Sequence, residues 1–205
     1  MAQTAPTKGN LISAKRSLAL AQNGYELMDK KRNILIRELM SLIGRAGELQ
    51  ERIDNTFREA YESLALAKIS MGDCDDIARA IPEDVSVRVR YRSVMGTELP
   101  TVTSTPTDVD VLPYGFTGTT SELDDAYKKF SAVKELILEL AELENSIYRL
   151  AYSISKAQKR ANALNNIVIP GLDADIARIS DLLEEKDREE FVRLKVIKAQ
   201  KSRRG

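Results

Sequence analysis

From Leu11 to Met71 the apolar residues return at steps of three and four, through Leu18, Tyr25, Met28, Leu35, Leu39, Leu42, Leu49, Ile53, Phe57 and Leu64, with Ala14, Ala21, Ala46, Ala60 and Ala67 between them. That spacing is the a/d seam of a coiled coil, and a helix bearing it needs a second helix to cover it. At 1.5 Å per residue the stretch would be roughly 90 Å long, too long for a helix of an ordinary globule. Arg32 interrupts the seam; its stem can lie along apolar surface with the head in water, or the head can pair across the helices. Leu49 to Ile53 to Phe57 is two four-residue steps in succession, a stutter that unwinds a left-handed supercoil locally. Gly44 and Gly47 flank the seam, and each forfeits about 1 kcal/mol of helix propensity, which points to close packing or a local bend.

The period then changes. Val85, Val87, Val89 and Tyr91 alternate with Ser86, Arg88, Arg90 and Arg92, a strand with one apolar and one basic face. Met95-Gly96 reads as the turn and Thr97 to Thr105 as the returning strand, where Pro100 requires an edge position. A loop rich in breakers follows through Pro106, Pro113 and Tyr114-Gly115-Phe116-Thr117-Gly118. Helix resumes with Thr120 or Ser121 as cap and acids in the first turn. Its seam runs from Leu123 through Phe130, Val133, Ile137, Leu140, Ile147, Leu150, Ile154, Ala157, Ala161 and Leu164 to Val168. Pro170-Gly171 predicts a kink, after which Leu172, Ile176, Ile179 and Leu183 resume the pattern.

The expected organisation is an N-terminal arm over 1–10, a first coiled-coil helix over 11–72, a hairpin and loop region over 73–119, a second coiled-coil helix over 120–199 kinked near 170, and a basic tail over 200–205. Two such helices must fold back on each other to bury their seams. The predicted fold class is therefore mainly α, a long antiparallel two-helix coiled coil with a small β-hairpin in the middle of the chain. The second helix is the longer, so its last turns can project alone.

Composition narrows the chemistry. The 205 residues carry 31 Lys+Arg and 31 Asp+Glu, so no net field favours nucleic acid or anionic lipid. There is no His, which excludes His-based triads, metal sites and proton shuttles. The single Cys74 cannot form an internal disulfide. Neither G-x-x-x-x-G-K-[ST] nor G-x-G-x-x-G occurs, and Asp75-Asp76 and Glu184-Glu185 read as hydrophilic caps and solvated faces. No cofactor and no catalytic residue is expected. Arg88, Arg90 and Arg92 could meet phosphate, form a solvated face, or touch an acidic protein partner; the strand lacks the exposed aromatics that interleave with bases.

Several ordered strings carry a resemblance: Pro6-Thr7-Lys8 followed by Leu11; Gly24 through Arg32 (GYELMDKKR); Tyr114-Gly115-Phe116 leading into Thr119-Thr120; Arg160-Ala161-Asn162-Ala163-Leu164 through Ile169-Pro170; and Leu183 through Phe191 (LEEKDREEF) with Arg193-Leu194-Lys195. Together they resemble the D subunits of the archaeal and bacterial A/V-type rotary ATPases. Gly9 and Gly171 depart from the residues usual there. The resemblance implies a non-catalytic central rotor shaft that couples ATP hydrolysis or synthesis in the head to proton or sodium flow through a membrane ring. It implies as partners the catalytic A and non-catalytic B subunits, the small central-stalk F subunit and the C subunit on the ring. It also implies a cytoplasmic location peripheral to the membrane, and an influence of the hairpin on ATPase activity. The candidate partner-binding residues are Lys8, Arg16, Arg88, Arg90, Arg92, Lys198, Lys201 and Arg203. A non-rotary scaffold or tether is the alternative that periodicity alone leaves open.

Overall fold

A computed structural model describes residues 5–105, 112–115 and 117–204; Pro106 and Phe116 of the expected loop, the first four residues of the arm and Gly205 lie outside the described residues. Helix α1 spans Lys8–Met71. Thr7 caps it, its Oγ1 accepting the Asn10 N–H at 3.2 Å. At the far end Gly72 takes φ 83° and its N–H returns to the Lys68 carbonyl at 3.0 Å. That left-handed termination suits a residue without Cβ.

Asp75 and Asp76, which read in the sequence as caps, occupy the first turn of a short helix α2, Asp75–Ala80. Strands β1 (Arg88–Val94) and β2 (Thr97–Thr103) pair antiparallel. Helix α3 (Ser121–Ala163) passes through a π turn (Leu164–Val168) into helix α4 (Ile169–Arg204). The basic residues up to Arg204 thus continue a helix. Among the described residues no helix is long and apolar enough to cross a membrane.

The chain divides into two compact units, residues 34–154 and the segments up to Asn33 and from Ser155. In the first, Leu35, Leu42, Leu49 and Ile53 of α1 bury against Leu143 and Leu150 of α3, joined by Leu99 of β2. Cross-helix contacts show the antiparallel sense. Arg45 reaches Glu139 at 3.4 Å, whereas Ser63, further along α1, receives Lys129 Nζ at 2.7 Å, further back on α3. Beyond the stutter aromatic rings flank the seam, with Phe57 stacked on exposed Tyr61 and Tyr61 edge-on to Phe130. A smaller cluster of Ala67, Cys74 and Leu123, with Met71, Ile77 and Tyr114, packs α2 beside the start of α3.

In the second unit Ala21, Ala157, Ala161 and Ile179 are buried. A Cβ added at Gly24 would sit 3.7 Å from Leu164 Cδ1, so this glycine faces the π turn at ordinary contact distance. Arg32 resolves the choice its sequence position leaves open: its Nη1 donates across the helices to Gln158 Oε1 at 2.7 Å, and Asp29 pairs with the same guanidinium. Counting heptads from buried Ala161, the position equivalent to buried Ile179 falls one residue earlier. The π turn absorbs that extra residue, which keeps both ends of the seam on one face. It also precedes Pro170, whose ring needs room beside the carbonyl four residues back.

Candidate partner-binding surfaces

The hairpin is built by its turn and held by its edge. Met95 and Gly96 both have positive φ, 49° and 74°, the two-residue geometry whose twist matches that of the flanking strands. On β2 the Val102 N–H donates to Glu142 Oε2 at 2.7 Å, and the Glu98 carbonyl accepts from Arg149 Nη1 at 3.2 Å. Pro100 lies between these two positions and has no N–H to leave unsatisfied. Residues 98, 100 and 102 therefore point their backbone groups away from β1, toward α3, and Val89↔Val102 and Tyr91↔Pro100 are the non-hydrogen-bonded pairs of the ladder.

The alternation over Val85 to Arg92 marks two faces, but neither is the buried one. Val85 and Val87 precede β1, and Val89 and Tyr91 are more than half exposed, at 52% and 59%. The buried strand is β2, where Leu99 is fully enclosed beside Leu35 and Leu42. On the basic face Arg92 meets Glu38 of α1 at 3.1 Å. On the other, the Arg149 guanidinium lies 5.2 Å from the centre of the Tyr91 ring, an attractive cation–π distance.

The candidate basic residues fall into separate places. Arg92 is neutralised by Glu38, whereas Arg88 and Arg90 are exposed with no ion-pair partner among the described residues. Lys8 and Arg16 are exposed on α1, and Lys198 and Lys201 on α4. Arg203 lies in the last turn of α4, its side chain outside the described residues. Burial on α4 ends at Leu183, and every residue from Glu184 to Ser202 is exposed. Lys198 is thus roughly 22 Å of helix beyond the last packed turn, so Lys8 and Arg16 do not join Lys198 and Lys201 in one cluster.

Several surface features escape a reading of the basic residues alone. With Leu35 and Leu42 at d positions, Glu38 and Arg45 occupy g, on the hairpin's side of the seam, while Ile36 and Ile43 occupy e on the other. Ile36, Met40 and Ile43 of α1 and Ile137 of α3 are all exposed there, at 37%, 62%, 46% and 42%. The signal in the sequence is a second apolar residue directly after Leu35, Leu42 and Leu136. Glu142 and Arg149, the hairpin's anchors, stand one heptad apart on α3.

Below the hairpin, Lys134 Nζ binds Asp84 Oδ2 at 2.9 Å, and this bond, with those from Ser86, holds the Asp84 carboxyl well below the ordinary carboxylate range. Tyr114 donates to Asp124 Oδ1 at 2.8 Å; burial first, and then that bond, push its hydroxyl pKa well above the usual tyrosine value. At the start of α3, Glu122 is held low by its own backbone N–H and then by the Thr120 hydroxyl. A cavity of about 250 Å³ lined by Leu64, Cys74, Ile77, Tyr114, Leu123 and Phe130 is almost wholly apolar. Among the described residues no paired acid and base converge on it.

The family of ATP synthase D subunits matches residues 10–199. The D subunit of the V-type ATP synthase of Thermotoga neapolitana is 42% identical over 201 residues, covering 97% of this chain and 98% of that protein. The D subunit of the A-type ATP synthase of Methanosphaera stadtmanae is 36% identical, covering 94% and 92%. That of Pyrococcus furiosus is 35% identical, covering 95% and 92%.

Proposed function

The chain belongs to the family of ATP synthase D subunits, and from that premise we propose that it is the non-catalytic central rotor shaft of a V/A-type ATPase. The match to that family along nearly the whole chain is the observation that carries this reading. In this role the shaft couples ATP turnover in a head of alternating A and B subunits to ion movement through a membrane ring, and sits peripheral to the membrane. Coupling requires that the shaft contact the head's states differently, because a surface that binds all of them equally shifts nothing. The arrangement supports this: among the described residues α4 continues alone past Leu183, and its exposed turns carry Phe191, Leu194 and Ile197 beside Lys198 and Lys201. A lone helix presents different residues at each angle.

We assign the head to this end of α4, with Lys8, Arg16, Lys198, Lys201 and Arg203 as contacts. The F subunit fits the apolar strip of Ile36, Met40, Ile43 and Ile137, which needs a cover of its own size, and the C subunit takes the region of α2. Arg92 serves the hairpin's own contact with Glu38, and Arg88 and Arg90 are left to a partner of the hairpin. The test is reconstitution with an A/B hexamer and the F subunit. Truncation after Leu183 should abolish stable association with the hexamer while leaving the F subunit bound, whereas Met40→Glu should release the F subunit alone. Retention of rotation-coupled hydrolysis by the truncated chain would overturn the assignment.

A further inference from the structure

The two edges of the hairpin are treated unequally. The β2 edge is covered by α3, with Glu142 and Arg149 satisfying its outward N–H and carbonyl. The β1 edge has no such cover among the described residues, and every residue from Arg88 to Ser93 is exposed. Because Val89 and Tyr91 are in non-hydrogen-bonded pairs, their N–H and C=O groups, and those of Ser93, point outward from the sheet. An open edge of this kind is a template for one more strand.

The two faces beside that edge differ in chemistry. Arg88 and Arg90 stand on one face without ion-pair partners among the described residues, while Arg92 is already paired with Glu38. On the other face Val87, Val89 and Tyr91, with Val102, Leu138 and Ala141, line a groove of about 330 Å³ between the sheet and α3. Side chains of an added strand would point alternately over these two faces. One set would meet two uncompensated guanidinium groups, and the next set a mainly apolar groove that Asn145 and Arg149 also line.

We propose that the outer edge of β1 docks an extended segment of a partner protein in which acidic and apolar residues alternate. Backbone pairing supplies the attachment and the two faces supply the selection. A second copy of this chain is a poor occupant, since edge-to-edge pairing would set Arg beside Arg. A nucleic acid would use the arginines and leave both the groove and the backbone edge idle.

The full chain, titrated with a fluorescent peptide of alternating Glu and Val matched to the seven residues of β1, tests this by anisotropy. The Glu/Val peptide should bind at least about tenfold more tightly than a Lys/Val peptide, and than a Glu/Val peptide N-methylated at alternate amides to block the ladder. The double variant Arg88→Glu/Arg90→Glu should reverse the charge preference. Val89→Pro, which removes one outward N–H at an edge position that tolerates proline, should weaken binding of the Glu/Val peptide. If that variant loses the hairpin by circular dichroism, the charge-reversed chain still decides. Equal binding of the N-methylated peptide, of polyglutamate or of a single-stranded oligonucleotide would reduce the edge to a charged patch and overturn the proposal, as would no binding of the Glu/Val peptide.

Discussion

Leu99→Ala tests whether the hairpin is a satellite fixed to the helices mainly by one side chain. Leu99 is completely buried among Leu35, Leu42, Leu143 and Leu150, and truncating a buried leucine costs about 2–5 kcal/mol, depending on how far the site collapses. The other anchors are weaker. Arg92–Glu38 is half exposed on the arginine side, a class of pair worth about 0–1 kcal/mol. The Glu142 carboxylate on the Val102 N–H adds about 1.5–3 kcal/mol as a bond to a charged group. A two-stranded hairpin is at best marginally stable alone, so its local opening should follow the loss of Leu99 almost in full. Backbone hydrogen exchange reads this directly. The ladder amides of Leu99 and Thr101 should lose about 2–4 kcal/mol of protection, roughly thirty- to thousand-fold in rate, since 1.4 kcal/mol is a factor of ten. Amides of α1 and α3 around Leu42 and Leu143 should change far less. Unchanged hairpin protection would refute the anchor, and an equal loss in the helices would refute the satellite.

Two further outcomes follow from single contacts. Gly24→Ala should stabilise the chain by about 0.5–1 kcal/mol in denaturant melts, because a Cβ there meets Leu164 at 3.7 Å without clash while the helix gains propensity; a lower midpoint would mean that the glycine is needed for closer approach. The Asp84–Lys134 tether involves a carboxyl whose pKa is lowered, so its contribution is complete above the ordinary carboxylate pKa and is lost only as pH falls through the depressed value. NMR titration should show Asp84 still ionised at a pH where ordinary aspartates are half protonated, with salt weakening the effect; an ordinary midpoint would remove the tether.

The helices were legible because a coiled-coil seam is a local repeat, and each of Leu35, Leu42 and Leu49 announces the next. The turn at Met95-Gly96 was legible for a similar reason. The docking of the hairpin was not. Period-two alternation distinguishes two faces of a strand but carries no information about an edge, and here Glu142 and Arg149, forty or more residues from their partners, decide the orientation. The projecting end of α4 follows from the unequal lengths of the two helical seams, and its exposed turns begin after the last packed turn at Leu183. Helix α2 was missed because six residues offer no period to detect.

The π turn raises the question of whether Pro170 or residue count creates it. If the proline forced the distortion, Pro170→Ala would let the turn relax to α-helix, and Ile179 would rotate by about 100°, one residue's worth, from its present buried direction. If the extra residue creates it, Pro170→Ala leaves the turn in place, because relaxing it would expose buried Ile179. Deleting exposed Asn166 should then yield a regular helix with its seam in phase. In that regular helix Pro170 regains an unfavourable interior position, worth about 3 kcal/mol. The four proteins of the cycle should thus show the deletion alone destabilised by about 3 kcal/mol, Pro170→Ala alone altered little, and the double variant restored close to the parent. The coupling between the two changes, about 3 kcal/mol, far exceeds the few tenths by which independent sites depart from additivity. Additive effects in denaturant melts would refute residue count as the cause. Strong coupling would show that this helix tolerates its proline because one surplus residue had already widened the turn.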